Sequence, residues 1–377
     1  MRVFNSSRHD IIDCVAGIQT GKLSTSLITK NLLAYSGAHL LVDGTCAALV
    51  FSLSALSLVS ASIFVGFIVL YDILAFATQP FFGLLIDRLR LAVATSSFGS
   101  VLVVLAVPIG LILHLPFCAV VIAGIGNALF HLGGGTIAFN LSPRKATMPG
   151  LFVAPGTIGL FLGTLVGKTA AMFVWPFAVV LLIFAALILL VEAPKINYTL
   201  TKKREKISSF DMVLVFVLVV IVIRSLMGFA ISFGWKSNFA LLVALTIGVF
   251  LGKALGGVLA DRYGWRKVAV GTLIISAPLV SFFGAVPVVA IVGMFLFNMT
   301  TPVTLTAVAN LFTGRPAFAF GLNCIALIGG ALVIFGGVTF FSNPIVSFAT
   351  ILVSALVLFV GLGKGGNIVP AKASVGQ

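Results

Sequence analysis

Apolar residues follow one another along this chain in blocks of about twenty, broken by short clusters of Gly, Pro and charged residues. A helical block of that length crosses a hydrocarbon core of roughly 30 Å. With the clusters as punctuation, the pattern predicts spans near 31–56, 60–86, 91–112, 116–141, 147–170, 172–193, 210–234, 237–260, 266–285, 287–311, 316–340 and 343–363. Residues 1–30 are mixed in polarity and lack the apolar core of a signal peptide, which makes them a cytoplasmic N-terminal tail. Within that tail, 10–29 reads either as a surface-lying amphipathic helix or as a flexible segment. The polar stretch 195–209, with Lys202-Lys203-Arg204-Glu205-Lys206, is the expected cytoplasmic linker between two six-helix bundles, 31–194 and 210–363, and 364–377 is a cytoplasmic C-terminal tail.

The basic residues orient this array. With both termini inside, Arg2, Arg8, Lys22, Lys30, Arg88, Arg90, Arg144, Lys145, Lys195, Lys202, Lys203, Arg204, Lys206, Arg262, Arg266, Lys267, Arg315, Lys364 and Lys372 all fall on the cytoplasmic side. The outer loops keep only Lys168 and Lys236, the positive-inside asymmetry of an integral membrane protein, here placed in a bacterial cytoplasmic membrane. It also requires an even number of spans, since losing one would scramble the alternation. Composition agrees: 60% of the 377 residues are hydrophobic, 8% are charged and mean hydropathy is +1.24. A soluble domain carries about 25% charged residues, so a water-facing surface cannot be assembled from this chain. The net charge of +14 therefore reads as topology and not as affinity for nucleic acid.

Several weaker signals drop out. Cys14, Cys46, Cys118 and Cys324 are isolated and read as buried thiols, with neither a disulfide framework nor a zinc site. The Asn-x-Ser/Thr matches at Asn5, Asn140, Asn197 and Asn298 fall in cytoplasmic or intramembrane positions and read as chance. Trp175, Trp235 and Trp265 lie near span ends, as interfacial anchors do. No Walker loop, HExxH or Gly-x-Ser-x-Gly is present, so neither an enzyme nor a cofactor is expected.

An internal repeat supports two halves. Gly83-Leu-Leu-Ile-Asp87-Arg88 after span two returns 174 residues later as Gly257-Val-Leu-Ala-Asp261-Arg262 after span eight. At the same offset Gly156 maps to Gly330 and Gly163 to Gly337. Duplicated membrane halves are the usual build of secondary transporters, with the substrate at the repeat interface.

The segment Gly257-Val-Leu-Ala-Asp261-Arg262-Tyr-Gly264-Trp-Arg266-Lys267 resembles the G-x-L-x-D-R-x-G-R-K loop signature of the major facilitator superfamily. The first copy, with Leu89-Arg90-Leu91, lacks its glycine and last basic pair. The resemblance covers about residues 31–363 and implies an all-α membrane fold of twelve helices in two pseudo-symmetric halves. It also implies that Gly83, Asp87, Arg88, Gly257, Asp261 and Arg262 form the gate that stabilises one alternating-access state. Two patches are similar to the fosmidomycin-resistance type of exporter: His39-Leu-Leu-Val-Asp43 in span one and Gly124-Ile-Gly126-Asn127-Ala-Leu-Phe130-His131 in span four. Leu132-Gly133-Gly134-Gly135 replaces the proline and acid expected next. In span five, Ala154-Pro155-Gly156, Gly159 and Gly163 partly resemble the superfamily's antiporter signature, which favours export; spaced small residues also serve plain helix packing.

The chemistry is expected in the few charges inside the spans: Asp43, Asp72, Arg224 and Lys253, with His39 and His131. A charge at the centre of a span costs about 2.5–3.5 kcal/mol on insertion scales, so these should face the interior and pair. His39 and Asp43 lie one turn apart on one helical face. An imidazole beside a carboxylate exchanges a proton near neutral pH, which makes Asp43, with His39 or His131 and with Asp72 nearby, the expected proton site. His9 and His114, in the tail and an outer loop, are poor candidates. Arg224 and Lys253 either bind an anionic substrate or neutralise the acids. The resulting expectation is a monomeric secondary transporter exporting a small organic molecule or drug in exchange for protons. The alternatives are an importer of an anionic nutrient and a divalent-metal transporter using His39, Asp43, Asp72 and His131.

Overall fold

The computed structural model describes residues 23–199 and 207–364; the expected N-terminal amphipathic segment, up to residue 22, and the basic run of the linker lie outside them. Twelve long helices occupy the described residues: α1 Thr25–Ala55, α2 Ala61–Leu89, α3 Ala92–Leu111, α4 Pro116–Leu141, α5 Thr147–Thr169, α6 Ala171–Leu190, α7 Ile207–Ala230, α8 Phe239–Tyr263, α9 Trp265–Ser281, α10 Pro287–Leu311, α11 Pro316–Phe335 and α12 Pro344–Lys364. Eleven are long and apolar enough to cross a membrane, and α9, at 17 residues, stands at the short limit for a span. Leu33, Phe81, Leu190, Val288 and Ile345 are among the large apolar side chains left on the outer surface. This is an integral membrane protein with an all-α, two-half architecture.

Two helices are irregular at half depth. In α2 a π-helical turn covers Ile73–Ala77, and the carbonyls it disturbs are met by Thr78 Oγ1 on Leu74 (2.6 Å) and Gln79 Nε2 on Ala75 (2.7 Å). In α10 the α-helical run stops at Asn298 and restarts at Thr301, where Pro302 can supply no backbone N–H. By contrast α5 runs unbroken through Pro155. The missing N–H there frees the carbonyl of Leu151, which accepts from Ser36 Oγ of α1 at 3.3 Å.

Close approach of α1 and α5 follows from glycine spacing. A methyl at Gly159 would collide with the carbonyl oxygen of Leu40, one at Gly163 with that of Gly44, and one at Gly167 with that of Ala48. Residues four apart on one helix thus lie on residues four apart on the other, with backbones in contact. In the second half α8 repeats the arrangement, with Gly252 against Phe295 and Gly256 against Met299 of α10. The 174-residue offset is looser elsewhere. Gly330 lies within α11 against α7, but Gly337 sits in the turn after it with φ +83°, because α11 ends at Phe335 and not near 340.

The halves meet at the end of the bundle that carries the basic loops. Asp87 at the end of α2 accepts from the backbone N–H groups of Ala317 (3.0 Å) and Phe318 (2.9 Å) in the first turn of α11. Asp261 at the end of α8 accepts from Ala146 N (3.0 Å), Thr147 N (2.8 Å) and Thr147 Oγ1 (2.6 Å) at the start of α5. Each aspartate thereby satisfies otherwise orphaned donors at the positive end of a helix from the opposite half. The glycine four residues earlier makes the approach possible: a side chain at Gly83 would strike Ala317 and Phe318, and one at Gly257 would strike Ala146. Arg88 and Arg262 are exposed, and Arg262 lies 5.4 Å from the Tyr263 ring.

Some expectations change. Trp265 is fully buried and donates its indole N–H to Asp261 (2.8 Å), so it belongs to this junction and is not an interfacial anchor. Cys46 and Cys324 are buried, whereas Cys118 near the start of α4 is exposed. The first helix begins at Thr25, capped by Ser24, six residues before the expected boundary.

Breaking the junction has a readable consequence. With spin labels at Lys145 and Tyr263, on opposite halves at this end, Asp261→Ala should lengthen and broaden the label-to-label distance relative to the parent chain. An unchanged distribution would show that the carboxylate does not hold the halves together.

Candidate functional site

Two pairs of side chains, each one turn apart on its own helix, converge in the first half: His39 and Asp43 from α1, Asn127 and His131 from α4. His39 Nδ1 donates to the carbonyl of Phe152 at 2.8 Å, and His131 Nδ1 donates to the carbonyl of Asn127 at 2.9 Å. A carbonyl only accepts, so both Nδ1 atoms carry hydrogen and both Nε2 lone pairs are directed outward. They point at each other across 2.9 Å. Asp43 completes the group, its carboxylate 3.2 Å from His39 Nε2 and 3.7 Å from His131 Nε2, with Asn127 Nδ2 donating to Oδ1 at 3.2 Å.

Two facing lone pairs at this distance repel unless something positive lies between them. One proton makes the contact an N–H···N hydrogen bond and leaves the three side chains neutral in sum. A metal ion would be held by the same two nitrogens and a carboxylate oxygen, with both carbonyls fixing the rings from behind. His39 and His131 are 4% and 6% exposed, while the Asp43 side chain is 22% exposed, so the carboxylate is the member that water reaches.

The surroundings explain local sequence. Gly156 of α5 touches both Asp43 and His39, and any side chain there would displace them. The three glycines after His131 also have work to do: Gly133 lies against α3, Gly134 against Phe152, and Gly135 against Phe320 of α11. Phe320 reaches over from the second half, its ring 6.2 Å from His131 and 6.3 Å from Phe152. Phe130, Phe152 and Phe320 thus enclose the histidines on their apolar sides.

The other expected residues lie apart from this group. Asp72 stands at the entry to the π turn of α2 and does not join the cluster. Arg224 of α7 donates from Nη1 to Thr301 Oγ1 of α10 (3.0 Å), and Lys253 of α8 donates to Thr157 Oγ1 of α5 (2.8 Å). Among the described residues neither is within 4.0 Å of an acid, so of the two expected roles the neutralisation of acids by direct pairing is not seen; the ion pairs present are those of Asp43 with His39 and His131. Pro155, Gly159 and Gly163 pack α5 on α1. Asn127, Phe152, Thr157, Thr301 and Phe320 were not singled out by sequence. Asn127, one turn before His131, could have been found from that spacing; the others come from distant helices.

Neither a family profile nor a curated protein sequence matches this chain. Solved structures do. The E. coli fucose:proton symporter FucP, a major facilitator superfamily transporter, superposes in its outward conformation with a TM-score of 0.65 at 14% identity, covering 90% of this chain and 98% of that one. The fold is that of the major facilitator transporters. A variant of the same symporter gives 0.61 at 13% identity, and the human organic anion transporter MFSD10 (TETRAN) gives 0.59 at 13%, each with the same coverage. Within this fold the cluster of His39, Asp43 and His131 belongs to the first half, with Phe320 of the second half against it.

The tautomers can be read directly. In the chain labelled with ¹⁵N-histidine, where only four histidines occur, the signals removed by His39→Gln and His131→Gln should both come from rings protonated at Nδ1. A ring protonated only at Nε2 would contradict the carbonyl contacts.

Proposed function

We propose that this chain is a secondary transporter that works by alternating access and couples the movement of a small organic molecule to protons held by His39, His131 and Asp43. The observation that carries the reading is the pair of opposed Nε2 atoms beside a partly exposed carboxylate, a site for one shared proton at a depth where an unpaired charge is costly. The junctions of Asp87 and Asp261 serve as the cytoplasmic gate, closed here, and the basic loops beside them mark that side as the interior. In the cycle, proton and substrate enter or leave while this gate is shut; release of α5 and α11 by the two aspartates then exposes the other face of the site.

Direction follows from how proton and substrate affect each other. Export by exchange, expected from the glycines of span five, requires the two to exclude one another. Those glycines are accounted for by packing on α1, and the uncompensated charges of Arg224 and Lys253 in the second half favour binding of proton and substrate together. Cotransport is therefore the reading we prefer.

The convergence of two imidazoles and a carboxylate also supports a second reading, transport of a divalent transition metal. It would use three of the four residues expected, without Asp72, and it would add charge to a layer already holding two cations.

In liposomes, Asp43→Asn should bind substrate but lose the response of uptake to an imposed pH gradient. Uptake that stays fully responsive would remove Asp43 from proton coupling. Saturable zinc binding that is lost in both His39→Gln and His131→Gln, together with zinc uptake into liposomes, would favour the metal reading.

A further inference from the structure

Arg224 and Lys253 carry charge into half-depth positions where the chain supplies no counterion within 4.0 Å among the described residues. Each is held by a threonine hydroxyl, which accepts a hydrogen bond but cancels no charge. The Nε of Arg224 is buried and donates to nothing. Both side chains keep part of their surface accessible, as a group that receives a solute must.

Helix packing brings the two together. Gly150 of α5 lies against both the Lys253 carbonyl and the Pro302 ring, and Gly252 and Gly256 of α8 lie against Asn298 and Met299. Lys253 therefore stands beside the interrupted stretch of α10 whose Thr301 receives Arg224. On the other side Lys253 meets Thr157, the neighbour of Gly156, which touches Asp43 and His39. Interrupted helices at the contact between repeats are where such proteins bind their solutes.

The charge sum then gives a direction. With a proton between the imidazoles, the His39, His131 and Asp43 group is neutral and two positive charges stand uncompensated beside it. Without the proton the group is negative and offsets one of them across α5. The titratable groups around Asp43 are His39 and Cys46 on α1, Tyr71 on α2, His131 on α4, Cys324 on α11 and Lys253 on α8. Of these, Lys253 is the one that leads to the second cation. We propose that Arg224 and Lys253 hold the acidic group of an organic anion, and that this anion and the shared proton bind cooperatively. The proposal names the substrate class for the transport reading above and rests on it only for the identity of the proton site.

The test is ligand-induced thermal stabilisation of the purified full chain. Benzoate, succinate and glycerol phosphate would each be compared with its neutral analogue: benzamide, succinamide and glycerol. At least one anion should stabilise saturably at millimolar concentration while its neutral analogue does not. The half-saturating concentration should rise about tenfold or more in Arg224→Gln and in Lys253→Gln, as for loss of a charge-assisted hydrogen bond. Arg224→Lys should recover part of that loss, and Lys236→Gln, in an outer loop, should cause none. Affinity for benzoate, which stays ionised above about pH 6, should increase as pH falls, because the shared proton and the anion favour each other. In Asp43→Asn the anion should still bind, with that pH dependence lost. Failure of every anion, equal stabilisation by neutral analogues, or unaltered binding in both glutamine variants would overturn the anion subsite. Anion binding that needs Arg224 and Lys253 but keeps its pH dependence in Asp43→Asn would overturn the cooperativity and the proton site while leaving the anion subsite standing.

Discussion

A helix that begins inside a protein interface leaves backbone N–H groups with no partner along its own axis, and this chain meets that constraint from the opposite half of the molecule. The first turns of α5 and α11 are closed by Asp261 and Asp87, which are neither neighbours in sequence nor members of the same bundle. A charge-assisted hydrogen bond is worth about 1.5–3 kcal/mol, and each aspartate makes at least two. In the proposed cycle the junction can be undone because, beside the exposed Arg88 and Arg262, solvent can replace the carboxylate on those donors. Buried in lipid, the same donors would have no replacement and the halves could not separate. The position of the two aspartates, at helix ends beside basic loops, is what would permit a strong contact to serve as the gate of the proposed cycle.

The sequence makes the helices and the contacts of Asp87 and Asp261 legible because both are set by local pattern. Blocks of apolar residues fix span length, the basic loops fix alternation, and Gly-x-x-x-Asp places a close approach and an acceptor one turn apart. Gly83 with Asp87 and Gly257 with Asp261 are found in contact with the opposite half as that spacing allows. Boundaries near proline or glycine are less legible. The end of α11 at Phe335 is set by the turn at Gly336 and Gly337, which hydropathy does not register, because the residues beyond are still apolar.

The candidate site is legible only in part, for a geometric reason. His39 with Asp43 can be paired from sequence because one helix holds both. That His131 meets them across α4, and that Asp72 does not, depends on how helices rotate about their axes, and a span apolar on all sides carries little information on rotation. The cations show the same limit. Counting charges leaves Arg224 and Lys253 either to neutralise the acids or to bind an anion, and the partners they have here are Thr301 and Thr157. Threonine is apolar enough to be silent in a hydropathy profile, so partners of this kind stay hidden until the fold is known.

The Asp87 junction and the cluster of His39, Asp43 and His131 are also physically joined. The α11 residues held by Asp87 are Ala317 and Phe318, and Phe320, two positions on, packs on His131 and fills the space left by Gly135. Any movement of α11 that breaks the contact with Asp87 therefore carries the Phe320 ring away from the histidines. In the proposed cycle this would let water from the cytoplasmic side reach imidazoles that are now sealed, so opening the gate and offering the proton an exit become a single displacement. Gly135, the last of the three glycines after His131, is then more than permissive packing. It makes room on the first half for an aromatic side chain of the second, and in the proposed cycle the state of a loop-end carboxylate would reach the shared proton through that ring.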